Sequence, residues 1–178
     1  MDSINRQQPE QNREDLSGVD ALERIKALVK DVTTCFFCTS FKSHQPESTR
    51  PMSVQRVDDR GSLWFLSAND SHKNRDIETD PRVQLFFQGS AHSEFMTIHG
   101  DAYITTDREK IRDLWQPILK TWFTEGVDDP RITVIEVRPK HGYYWSNKHG
   151  RAVALAKMAV GAMTGKTLDD SIEGSLRV

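Results

Sequence analysis

The sequence predicts a mainly β fold, a small antiparallel barrel of six or seven strands with flanking helices. Two observations carry this prediction. Short apolar or alternating segments recur along most of the chain, separated by turn residues such as those of 58–61. Only a few stretches show helical spacing instead. We favour a closed barrel over an open sheet because closure removes unpaired strand edges.

The predicted strands are marked by alternation or by runs of β-branched and aromatic residues. The alternation is clearest in 50–57, where Met52 and Val54 fall on one face and Ser53 and Gln55 on the other. Gly100 indicates a bulge in the strand that contains it. The complete set of predicted strands is 33–40, 50–57, 62–67, 83–88, 95–105, 132–138 and 142–146.

Helical spacing predicts a first helix from Val19 to about Asp31. A short second helix is capped by Asp70 or Ser71 and ends before Pro81. The Ala-rich stretch 152–163 is too short to cross a membrane, and it fits a helix packed on the body or on a second subunit.

A longer helix is predicted after Thr106 or Asp107, either of which can cap it. Pro117 is expected to kink or divide this helix. We expect its aromatic residues to pack in the core or against a second subunit, with direct stacking on a cofactor as the less favoured alternative. The apolar residues that share one face are Ile111, Leu114, Trp115, Ile118, Leu119, Trp122 and Phe123.

Composition and charge describe one globular domain with polar ends. The 24 basic and 26 acidic residues give a net charge of -2, which disfavours nucleic acid or a membrane surface as partner. Residues 1–17 are predicted to be a disordered arm, 18–165 the folded domain and 166–178 a flexible tail. Because the first fifteen residues have no apolar signal core, we expect a cytoplasmic protein.

Cys35 and Cys38 form a C-x-x-C pattern inside a β-branched and aromatic run. If this run is a strand, the two side chains point to opposite faces and cannot pair with each other. Zinc would need two further ligands, and no second pattern of that kind offers them. We therefore expect structural core cysteines, and the histidine spacing predicts no metal site.

The ends of two neighbouring predicted strands bring together groups that suit a phosphate dianion. Arg50 offers a planar fork to phosphate oxygens, while Lys73 acts as a point charge. Backbone N–H groups at the start of the helix near Ser71 add further donors. Together with Ser67 and His72, these residues can neutralise a terminal phosphate, but the same residue types are also common on solvated surfaces.

The order of these segments is similar to that of a known family. The segments 49–55, 63–67 and 70–73, followed by Leu114-Trp115, Thr121-Trp122-Phe123, Asp128-Asp129-Pro130 and Tyr144-Trp145, resemble the general stress protein branch of the pyridoxamine 5′-phosphate oxidase-like flavoproteins. The resemblance extends from about Val19 to Gly165. It implies an FMN-binding split barrel that is a homodimer, with flavin held at the subunit interface.

The resemblance also implies which residues bind the cofactor. Arg50 and Lys73 correspond to phosphate ligands, and Trp145 corresponds to an aromatic residue that reaches the flavin from the other subunit. In the true oxidases a lysine occupies the position of Gln55, whose neutral amide stabilises a reduced anionic flavin less. The cofactor-binding residues implied are Arg50, Pro51, Met52, Ser53, Val54, Gln55, Leu66, Ser67, Ser71, His72, Lys73 and Trp145.

The substrate motifs of the true oxidases are missing. Their Arg-x-His motif is represented here by Arg151-Ala152-Val153, which lacks the histidine, and their closing Arg-Leu-x-Pro segment is absent. Pyridoxamine phosphate oxidase activity is therefore not expected. The favoured hypothesis is an oxidoreductase that passes electrons or hydride from a reduced donor, such as a nicotinamide, to a small organic substrate through FMN or, less favoured, FAD. The alternative is a module that binds flavin for storage or stress sensing without turnover.

Overall fold

The computed structural model describes residues 11–39, 48–89, 94–149, 151–164 and 170–178. The predicted arm over 1–10, most of the loop after Ser40, and residues 166–169 of the predicted tail lie outside this range. Within it, the mainly β fold is confirmed, since nine strands form one sheet with helices at its flanks. Two of these strands come from terminal segments for which no strand was predicted.

The strands of the described chain are β1 Leu16–Ser17, β2 Thr34–Cys38, β3 Thr49–Ser53, β4 Arg56–Val57, β5 Leu63–Ala68, β6 Arg82–Gln88, β7 Phe95–Thr105, β8 Ile132–Asn147 and β9 Ser171–Arg177. The helices are α1 Val19–Asp31, α2 His72–Thr79, α3 Arg108–Leu114 and α4 Arg151–Thr164, with 3₁₀ turns at Pro117–Thr121 and Gly126–Asp128. No helix among the described residues is long and apolar enough to cross a membrane.

The sheet follows the order β1-β9-β8-β7-β6-β2-β3, while β5 pairs with β4 and with the first part of β8. All pairs are antiparallel except that of β1 with β9. The segments 132–138 and 142–146, predicted as two strands, form the single strand β8. The register between β7 and β8 shifts at the predicted position beside Gly100, but the extra residue is Lys140 of β8, which lies between the pairs His99–His141 and Gly100–Pro139. β8 continues through Pro139 past this bulge.

β5 and β8 separate two hydrophobic clusters. Alternate residues on one face, such as Phe65 and Ile135, pack inside the barrel with Phe37, whose ring meets that of Phe65 edge to face at 5.2 Å. Leu66 and Val134, on the opposite face, pack against α3 and the turns that follow it. The same pair of strands therefore forms part of both cores.

The terminal segments are more ordered than the sequence predicts. Residues 171–177, expected to be a flexible tail, form β9, which pairs with β8. Leu16 and Ser17, expected to lie in a disordered arm, form β1 beside β9. A Cβ atom on Gly174 would collide with the carbonyl oxygen of Glu14, so glycine permits this close approach. These polar segments gain order through backbone pairing, which composition does not reveal.

The helices largely confirm the predictions. α1 has the predicted bounds, Ser71 and Asp107 are the caps of α2 and α3, and α4 lies where the Ala-rich segment is. The predicted long helix is divided, since α3 ends at Leu114 and a 3₁₀ turn begins at Pro117. Proline lacks the N–H that would continue the helix and disfavours helical geometry in the preceding residue.

Both cysteines are free and buried in β2. Burial raises the pKa of the Cys35 thiol to about 12. Such a thiol stays protonated at neutral pH and is a poor nucleophile. Cys35 packs in the barrel core, as expected of a structural cysteine.

Candidate functional site

A cavity of about 550 Å³ lies where β3, the end of β5 and the start of α2 meet the turns after α3. It contains much of the predicted site. The predicted residues on its wall are Pro51, Met52, Ser53, Gln55, Leu66, Ser67 and Lys73. The other lining residues are Thr34, Ala68, Leu119, Trp122, Phe123 and Arg131.

The chain between β3 and β4 determines which residues face this cavity. The amide of Val54 donates to the carbonyl of Thr33 at 2.7 Å, and that of Gln55 donates to Trp64 at 2.8 Å. Val54 is buried in the barrel core, so its side chain is not part of the cavity wall. The Gln55 side chain lies on the wall, where its amide nitrogen donates to the carbonyl of Ser53 at 3.0 Å.

A buried polar network fixes the start of α2 against the sheet. The hydroxyl of Ser67 donates to Oδ1 of Asn74 at 2.8 Å, and Nδ2 of Asn74 donates to Thr133 Oγ1 at 2.9 Å. Thr133 in turn donates to the carbonyl of Ser67 at 3.0 Å. Ser71 caps the helix and lies 3.1 Å from the Ser67 hydroxyl. Because each member is bonded, the first turn of α2 is held rigidly at the cavity edge.

Lys73 places a positive charge on the cavity wall. Burial and, to a lesser extent, the nearby charge of Arg50 lower its pKa. The ammonium group forms no hydrogen bond or ion pair with the part of the chain that the structure describes. An anion bound in the cavity would stabilise the charged form of this half-buried ammonium group.

Arg50 does not line the cavity, although its charge acts on Lys73. Its Nη2 donates to Thr39 Oγ1 at 3.2 Å and to Asp76 Oδ2 at 3.4 Å, and Thr39 donates to the same carboxylate at 2.5 Å. The guanidinium is therefore held between β2 and α2. The contact with Asp76 is long for a charged pair, for which about 2.8 Å is typical.

Three other predicted site residues also lie off the cavity wall. Ser71 is used as the helix cap, and His72 is exposed at the start of α2. Trp145 lies on β8, four strands from β3 in the sheet order, with its ring 4.7 Å from that of Tyr143. Within one chain, Ser71 therefore adjoins the cavity edge without lining it, whereas Trp145 is separate from the cavity.

The sequence did not predict the second wall of the cavity, formed by the turns after α3. Leu119 and Phe123 are buried there, while Trp122 is 64% exposed. Trp122, expected in the core or against a second subunit, does not pack in the core of its own chain, because the broken helix releases it from the apolar face. The signal that could have found it was Pro117, which ends helical periodicity before this residue.

Arg131, which the sequence analysis did not single out, also lines the cavity just before β8. Its Nε and Nη2 donate to the two oxygens of Asp129 at 3.0 and 2.7 Å. These hydrogen bonds hold the pKa of Asp129 at about 2, against the opposing effect of burial. The guanidinium is thus fixed in direction by a fully buried carboxylate.

The outer face of the sheet next to the cavity is apolar. Pro51, Phe36 and Phe86 lie opposite one another on β3, β2 and β6, and Phe36 is 56% exposed. The same row continues through Thr97 to Tyr143, and Trp145 lies on that face two residues further. We call this surface the aromatic face. Pro51 belongs both to the aromatic face and to the cavity wall, so the two surfaces are continuous.

The described residues contain no group of three or more His, Cys, Asp or Glu side chains that could hold a metal ion. The chemistry of the cavity is instead that of cations, hydroxyls, an amide and apolar side chains.

Two curated relatives are similar in sequence. Protein bli-3 of Neurospora crassa is 29% identical over 127 residues, which cover 66% of this chain and 61% of that protein. General stress protein 26 of Bacillus subtilis is 26% identical over 82 residues, covering 44% of this chain and 58% of that protein. The matched parts therefore span about three fifths of the length of these relatives.

The fold is also that of solved structures. A candidate general stress protein 26 from Jannaschia sp. CCS1 matches with a TM-score of 0.75 and 22% identity, covering 90% of this chain and all of that one. A general stress FMN/FAD binding protein from Xanthomonas citri matches with a TM-score of 0.56 and 22% identity over 68% of this chain and 84% of that one. These similarities show the split-barrel fold.

The family model described as pyridoxamine 5′-phosphate oxidase like matches residues 20–169. This range contains every strand and turn on which the cavity depends, from β2 to the end of β8. The chain therefore belongs to the pyridoxamine 5′-phosphate oxidase-like family.

Proposed function

We propose that this chain is a flavin-binding protein of the oxidoreductase type, with FMN in the cavity between β3, β5 and α2. The observation that carries the proposal is the shape and chemistry of that cavity, in which a half-buried ammonium group adjoins an apolar wall. FMN combines a flat ring system with a terminal phosphate, and these two parts match the wall and the cation. When bound, flavin supplies hydride or electron transfer.

The residues present fit this cofactor. Lys73 and the backbone N–H groups at the start of α2 would hold the phosphate, with the Ser67 hydroxyl close to them. Met52 and Leu66 would contact the ring, and the Gln55 amide would hydrogen-bond its polar edge. The related Xanthomonas citri protein, described as binding FMN or FAD, supports the same cofactor class.

Arg50 would be the second phosphate ligand. In the structure it contacts Asp76 and Thr39 behind the cavity wall, close enough for its charge to lower the pKa of Lys73. A phosphate dianion between the two cations would remove their mutual repulsion.

Turnover distinguishes the oxidoreductase from a flavin-binding module for storage or stress sensing. We expect the purified chain to be yellow, with the visible absorbance of a bound flavin, and to release FMN on denaturation. Bleaching by a reduced nicotinamide and recovery with an electron acceptor would support the oxidoreductase. A flavin that no donor reduces would support the binding module, and a colourless protein that takes up no FMN would contradict both.

We further propose that a second copy of this chain covers the aromatic face. Phe36 and Phe86 are too exposed for core residues, and the face adjoins the cavity through Pro51. In a dimer of this kind, Trp145 of the partner subunit would complete the flavin site. The distance of Trp145 from the cavity of its own chain, four strands along the sheet, supports this assignment.

Introducing a charge on this face is expected to separate the subunits. Phe36→Glu should give a monomer by light scattering, because a carboxylate cannot be buried against another apolar face without a partner. Flavin affinity should also fall, roughly two- to tenfold if one aromatic contact is lost. The control is Val19→Glu, which adds the same charge at a residue 72% exposed on α1. A dimeric Phe36→Glu protein with unchanged flavin affinity would contradict this interface.

A further inference from the structure

The wall formed by Trp122 and Arg131 lies outside the set of residues assigned to FMN. Trp122 lines the cavity and is 64% exposed, although its neighbour Phe123 is only 6% exposed. Its ring makes no stacking or cation contact with the described part of the chain. A tryptophan in this position offers a flat apolar surface to a ligand, since large aromatic side chains are otherwise mostly buried.

The backbone holds Trp122 in place. The amides of Trp122 and Phe123 both donate to the carbonyl of Leu119 at 3.0 Å, at the end of the 3₁₀ turn. Phe123 packs in the second core, where its ring lies 6.4 Å from that of Trp115. The exposed indole is therefore attached to a rigid support and is not part of a loose loop.

Arg131 adds an oriented donor to the same cavity. Its Nε and Nη2 are used by Asp129, which leaves Nη1 without a hydrogen bond to any described residue. The carboxylate is fully buried and also accepts from the backbone amide of Arg131 at 3.0 Å. A guanidinium fixed in this way binds an anionic group with little loss of side-chain entropy.

We propose that Trp122 and Arg131 form a second subsite, which takes an aromatic ring that carries an anionic group. This proposal rests on the proposed flavin site, because both belong to one cavity. Two sources can supply such a ligand. One is the adenylate half of FAD, whose flavin half would occupy the Met52 wall, and the other is a separate aromatic anion bound beside FMN.

Flavin affinities of the full chain, freed of flavin and titrated with FMN and FAD, test the proposal. If the adenylate is the ligand, Trp122→Ala and Arg131→Gln should each weaken FAD binding at least about fivefold more than they weaken FMN binding. If both flavins bind as before, the FMN-loaded variants should instead bind benzoate, as a probe of an aromatic carboxylate, about fivefold more weakly. Unchanged binding of FAD and of benzoate in both variants would overturn the proposal.

Matched variants separate ligand binding from structural damage. Ile118→Ala is the control for Trp122→Ala, because Ile118 is equally exposed, lies on the 3₁₀ turn that ends just before Trp122, and does not line the cavity. If Arg131→Gln fails to fold, Arg131→Lys is the substitute, because it retains a positive charge near Asp129. It should still weaken the binding of the anion. Trp122→Phe should restore most of the lost affinity. Failure of FMN itself to bind to the unaltered chain would contradict the flavin site, a result distinct from failure of this subsite.

Discussion

Lys73→Ala is expected to weaken FMN binding about tenfold or more, because a hydrogen bond to a charged group typically contributes ~1.5–3 kcal/mol. Lys73 is the cation on the cavity wall, and it has no hydrogen bond or ion pair within the described residues. Its removal therefore leaves the phosphate short of a partner without breaking a contact in the fold. Titration of flavin fluorescence measures the change.

Two variants and the pH dependence control this result. Lys73→Arg keeps the charge, and Lys30→Ala removes an exposed lysine at the end of α1. Because burial and Arg50 lower the pKa of Lys73, FMN affinity should fall as the pH rises through this lowered value. Arginine keeps its proton throughout this range, so affinity for Lys73→Arg should stay level. Full affinity in Lys73→Ala would show that the phosphate lies elsewhere.

Phe37→Ala is expected to lower the free energy of unfolding by about 3–5 kcal/mol, the usual cost of removing a buried phenyl ring. Phe37 is fully buried on β2 and makes an edge-to-face contact with Phe65. Such a loss is a large share of the ~5–15 kcal/mol by which a domain is stable. Chemical denaturation at fixed protein concentration, followed by fluorescence or circular dichroism, measures it.

The matched control is Tyr103→Ala on β7. Tyr103 is 44% exposed, and its ring lies 4.4 Å from the guanidinium carbon of Arg138. Its removal should cost at most about 1 kcal/mol, as for an exposed cation–π contact. Equal denaturation midpoints for Phe37→Ala and the unaltered chain would mean that the barrel core is not centred on this ring.

Local patterns were sufficient for most of the fold. The bounds of α1, the position of the register shift beside Gly100 and the strand Phe95–Thr105 follow from periodicity and turn chemistry. Local patterns could not predict that the terminal segments form the strands β1 and β9, because these strands depend on backbone pairing between residues about 160 positions apart. The continuity of β8 through Pro139 likewise depends on pairing with β7, in which Lys140 next to the proline is left over as a bulge.

The candidate site was predictable on one side only. Met52, Gln55, Ser67 and Lys73 lie in segments whose order resembles the family, and the structure brings them to one cavity. The opposite wall depends on where the chain turns after α3, so periodicity placed Trp122 on a helix face that does not form. Arg131 can be recognised as a cavity residue only when its ion pair with Asp129 and its position beside the end of β5 are known.

The position of β5 and β8 between two cores makes ligand occupancy and folding one linked equilibrium. Leu66 and Ser67 form the cavity wall, while Phe65 between Trp64 and Leu66 packs inside the barrel. A ligand that binds only the folded chain stabilises it by mass action, and at a hundredfold excess over its dissociation constant this amounts to about 2.7 kcal/mol. If the proposed flavin site is correct, added FMN would accordingly raise the denaturation midpoint of the whole barrel, and FMN would be released as the barrel unfolds.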